Sequence, residues 1–73
     1  MILSYKDFFD RDAGRQQIEA EITTDHPASS YGLPVIVLED GGSLDVMSWV
    51  IMDYQVMRAT KKELAELQRM GMT

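Results

Sequence analysis

Polar and apolar residues alternate from Gln17 to Thr23, with Ile18, Ala20 and Ile22 on one side and Gln17, Glu19 and Glu21 on the other. That period of two predicts a strand with one wet face. After a polar interruption, Leu33-Pro34-Val35-Ile36-Val37-Leu38 forms an unbroken apolar, largely β-branched run. Such a run predicts a central strand covered on both faces. Pro34 must lie near its start, because proline inside a ladder leaves a hydrogen bond unmade. Glu39-Asp40-Gly41-Gly42 then ends the strand in a turn.

Three other stretches carry helical spacing. Near the start, Ser4 followed by Asp7 has the form of an N-cap, and Leu3 and Phe8 occupy the two positions of a hydrophobic staple. A helix from Tyr5 to about Ala13 is predicted, with Tyr5 and Phe9 adjacent on one face, Asp7 and Arg11 paired on another, and Gly14 as the stop. At the other end, Thr60 and Glu63 form a capping box before the stripe Leu64, Leu67, Met70, and Gly71 stands at the C-cap. This predicts a helix over Lys61–Met70 lying on the sheet surface, since its apolar stripe is narrow.

Residues 43–54 fit both periods. Leu44, Met47, Val50, Ile51 and Tyr54 form a helical stripe, whereas Leu44, Val46, Ser48, Val50 and Met52 alternate as a strand. Two glycines and Ser43 as a cap favour a short helix, followed by a strand from Tyr54 to Ala59. The expected architecture is a single α+β domain over residues 1–73, with about three strands backed by helices in the order α-β-β-α-β-α.

Size makes such a domain marginal. With 73 residues, it hides only about 60% of the surface its unfolded chain exposes. One core of this size rarely supplies more than about 3–5 kcal/mol. The sequence contains no cysteine, so disulfides and thiolate metal ligands are excluded and association is the expected aid. A cytoplasmic protein is expected, because no secretory leader pattern and no apolar run of membrane-spanning length are present. The net charge of −5, from twelve acids and seven bases, disfavours direct nucleic-acid binding. It allows an acidic regulator, or nucleic-acid mimic, that occupies a basic partner.

Candidate chemistry concentrates in the loop Asp25–Tyr31, which holds the only histidine. His26 with Ser29, Ser30 and Tyr31 is the candidate binding set for a ligand-binding domain or enzyme. A serine nucleophile, however, needs a base and oxyanion donors, and no Gly-x-Ser-x-Gly elbow surrounds these serines. Asp10, Asp12 and Glu21 match positions 1, 3 and 12 of a calcium loop, yet Arg15 stands where that loop needs glycine. No catalytic residue, metal site or cofactor is therefore expected.

A protein-interaction or regulatory module is the main functional expectation. Met47, Trp49, Ile51, Met52 and Tyr54 give residues 44–54 more apolar surface than a small domain can cover. Flexible thioethers and a large indole suit interfaces. Homodimerisation through these five residues is the expected mode of association.

Overall fold

Five strands and two short helices follow one another in the computed structural model, which describes residues 1–10 and 12–72. They are β1 (Ile2–Lys6), β2 (Arg15–Thr23), β3 (Val35–Leu38), β4 (Ser43–Leu44), α1 (Val46–Ile51), β5 (Gln55–Arg58) and α2 (Lys61–Arg69). The strands form one antiparallel sheet in the order β4-β3-β2-β1-β5. The expected three-stranded sheet in α-β-β-α-β-α order is thus corrected to a five-stranded, strand-rich domain.

The first difference is at the N-terminus, where a strand replaces the predicted helix. Ile2-Leu3-Ser4-Tyr5-Lys6 pairs with β2 on one side and β5 on the other. Leu3 lies opposite Ile18 and Val56 and is fully buried. Tyr5 stacks on Tyr54 with ring centroids 5.1 Å apart. An N-cap is worth about 1 kcal/mol, while burying one leucine contributes about 1.5–3 kcal/mol before any ladder hydrogen bond is counted. Long-range pairing outweighs the local caps. Asp7 instead starts a turn, accepting the Phe9 N–H at 2.9 Å. Gly14 does adopt a left-handed conformation, at φ 70°, but as the entry to β2 rather than a helix stop. The expected Asp7–Arg11 pair lies outside the described residues.

The long strand β2 is the spine of the sheet. Its first five residues pair with β1 and its last four with β3, so the two halves of the sheet are offset along it. The strand β3 is second from the edge rather than central. Its Ile36 is fully buried between Ile22 and Leu44, while Val35 and Val37 are half-buried. Alternation puts Ile18, Ala20 and Ile22 on the core face, and Gln17, Glu19 and Glu21 are exposed on the other.

Both helices cover the core face. The first begins at Val46, with Asp45 and not Ser43 as its N-cap; Asp45 accepts the Ser48 N–H at 2.7 Å. Trp49 is its only buried residue and stacks on Tyr54, with centroids 5.5 Å apart. The second helix has the full capping box of Thr60 and Glu63, buries Leu67, and is followed by Gly71 at φ 77°. No helix among the described residues is long and apolar enough to cross a membrane.

Capping also makes stability depend on pH. The backbone N–H of Ser48 holds the Asp45 carboxyl below its ordinary range, and a hydrogen bond from the Thr60 backbone does the same for Glu63. A carboxylate whose pKa falls on folding adds stability that is complete above its unfolded value and disappears as pH drops through the lowered one. The urea midpoint is therefore expected to be level from neutrality to about pH 5 and to fall below about pH 4. An Asp45→Asn/Glu63→Gln double variant should show a smaller acid loss. Equal losses in variant and wild type would remove these caps as its source.

Candidate binding groove

The polar loop that carries the sequence candidates is closed on itself. His26 Nδ1 accepts the Ala28 N–H at 3.0 Å, and the His26 carbonyl accepts the Ser29 N–H at 2.8 Å. The Ser29 hydroxyl donates to the Leu33 carbonyl, and the Leu33 N–H donates to the Ser30 carbonyl at 3.0 Å. Tyr31 has a positive φ of 56° and its side chain is 99% exposed. Proximity in sequence has thus brought His26, Ser29, Ser30 and Tyr31 into one loop without joining their side chains. The acceptor nitrogen of His26 serves the turn rather than a serine hydroxyl, so the base-to-nucleophile hydrogen bond that acyl transfer needs is missing. No group of three or more His, Cys, Asp or Glu side chains that could hold a metal ion occurs among the described residues.

What this closed loop does build is one wall of a groove of about 680 Å³, to which it contributes Ala28, Leu33 and Pro34. Tyr31 and Gly32 are consecutive left-handed residues, and the chain turns there before entering β3. Val46 at the start of α1 and Met70 at the end of α2 also line the groove. Its other apolar lining residues include Leu44 and Met72, both buried members of the core. Asp45, Glu66 and Arg69 supply the polar margin, with Arg69 and Glu66 paired at 3.5 Å. Size and lining match the concave, mostly apolar sites that receive ligands or side chains of a partner.

Sequence reading placed binding in the polar part of this loop and passed over its apolar flank. One signal was available. The residue before a proline is held extended, and Pro34 cannot donate to a ladder, so β3 begins at Val35. Leu33 is left outside the sheet as an exposed apolar residue.

The five expected interface residues fall into three groups. Met47 and Ile51 are exposed on α1, Met52 is half-buried, and Trp49 and Tyr54 belong to the core. Val50, Phe8 and Phe9, which lie outside the expected interface set, are exposed as well. Phe8 and Ile51 line the same small cleft together with Lys6, Asp7 and Asp10. Phe9 packs edge-on against Phe8, with centroids 5.3 Å apart. In comparison with known proteins, the chain matches no family model, no curated protein and no solved structure.

Proposed function

We propose that this protein is a small cytoplasmic protein-interaction module that acts as a homodimer and receives an apolar segment of a partner chain. The observation that carries this reading is the apolar groove lined by Leu33, Pro34, Val46 and Met70, left open by a domain that has already buried its only tryptophan. Internal hydrogen bonds fix the wall formed by residues 26–33, and a preformed wall lowers the ordering cost of binding. Net charge of −5 favours partners with lysine or arginine beside their apolar anchors, mainly by speeding encounter.

Peptide selection on the immobilised domain tests the reading. Enriched peptides should carry two or more large apolar residues and flanking basic ones, and should shift the NMR signals of Leu33, Val46 and Met70. Leu33→Asp and Val46→Asp both alter exposed positions and should weaken binding about tenfold or more without lowering the melting temperature. Enriched peptides that bind equally well to both variants would overturn it.

A further inference from the structure

We infer that the outer face of α1 and the Phe8–Phe9 turn form one apolar surface that a second copy of this chain covers across a two-fold axis. This deepens the homodimer part of the function proposed above and is independent of the groove. Met47, Val50 and Ile51 lie at i, i+3 and i+4 and are 71%, 70% and 51% exposed. Phe8 and Phe9 are 51% and 86% exposed, and Phe8 shares its cleft with Ile51.

The area of this surface is that of an interface side. Taking roughly 150–250 Å² for a large side chain, the exposed fractions of these five leave on the order of 600 Å² of apolar surface. That reaches the top of the range of about 300–600 Å² for the largest patch on a typical monomer. A standard interface removes about 800 Å² from each partner, of which roughly 65% is apolar in homodimers, or about 500 Å². The surface therefore supplies about the apolar area that one side of a homodimer interface removes from water.

Charge at the surface is compatible with a second copy as the occupant. The five residues carry no charge, so the acids of each chain stand at the margin of the contact and not at its centre. At the margin, Lys6 lines the cleft with Asp7 and Asp10, so both signs are present on the same patch. A two-fold axis repeats each contact, and Lys6 facing the acidic pair of the other protomer gives two equivalent ion pairs. Covering α1 from outside also explains how a six-residue helix with one buried side chain is sustained.

The test is molar mass by light scattering and sedimentation, from micromolar to submillimolar concentration, on wild type, Val50→Asp, Phe9→Asp and Lys6→Glu, with circular dichroism of each. Wild type should move from 8.3 kDa towards twice that mass as concentration rises. Val50→Asp and Phe9→Asp should raise the dissociation constant at least about tenfold with an unchanged dichroism spectrum, and Lys6→Glu should raise it by a smaller factor. Should Val50→Asp fail to fold, Phe9→Asp, in a turn outside every strand and helix, still decides the matter. A wild type that stays at 8.3 kDa throughout, or a dimer untouched by both apolar variants, overturns the inference. Leu33→Asp separates the two readings: it should dimerise like wild type while losing peptide binding.

Discussion

Replacing Trp49 by alanine is expected to unfold the domain. Trp49 sits at one end of a three-ring stack, 5.5 Å from Tyr54, which is in turn 5.1 Å from Tyr5 of β1. It is the only buried residue of α1, so without it the helix loses its main anchor on the sheet. Tryptophan-to-alanine changes in a core cost about 3–5 kcal/mol, and a core of this size supplies about that much in total. Far-UV circular dichroism and an amide correlation spectrum of Trp49→Ala should both show loss of fold at 25 °C, whereas Trp49→Phe keeps a stacked ring and should stay folded. The position also decides how association data are read. Loss of dimer in Trp49→Ala follows from unfolding and says nothing about an interface. A cooperatively folded, monomeric Trp49→Ala would instead return this residue to the interface that the sequence suggested.

Trp49 shows why some features were readable and others were not. Strand β2 and helix α2 announce themselves because their signals are local: strict alternation in one, and a capping box, an apolar stripe and a glycine in the other. For β1 the local signals were present but lost to pairing partners far along the chain, Ile18 and Val56 opposite Leu3. Nothing near Ser4 reports that competition. The two-residue strand β4 exists only because Ile36 and Val37 lie beside it, and its presence moves the helix cap from Ser43 to Asp45. In residues 44–54 apolar side chains point both inward and outward, so periodicity could not separate Trp49 from Met47 or Val50. The apolar excess in that segment was legible; its division between core and surface needed the fold. Phe8 and Phe9 belong to the predicted helix, which hides the place of Phe8 beside Ile51. The groove was harder still, being assembled from three separate parts of the chain.

A long-range contact with no sequence signature at all gives the second large effect. Arg15, the first residue of β2, donates from Nε to the Ser4 hydroxyl at 2.7 Å and from Nη2 to the Ser4 carbonyl at 3.2 Å. It also reaches the turn between α1 and β5, donating from Nη1 to the Asp53 carboxylate at 2.8 Å and from Nη2 to the Asp53 carbonyl at 2.6 Å. Asp53 has a left-handed backbone, φ 49°, and Ser4 is the one buried polar residue among the described residues. The ion pair is partly open to solvent on both sides and contributes at most about 1 kcal/mol. The larger contribution comes from the planar fork, which satisfies a buried hydroxyl and two main-chain carbonyls together. Arg15→Ala should therefore cost about 2 kcal/mol, lowering the melting temperature by about 8–15 °C in a domain of this size. Arg15→Lys keeps the charge but not the fork, and it should recover less than half of that loss. If lysine restores the full melting temperature, or if molar salt removes the difference between wild type and Arg15→Ala, simple charge attraction holds the turn. If neither happens, the geometry of Arg15 fixes the α1–β5 turn against β1, and with it the placement of Trp49 and the outward face of α1.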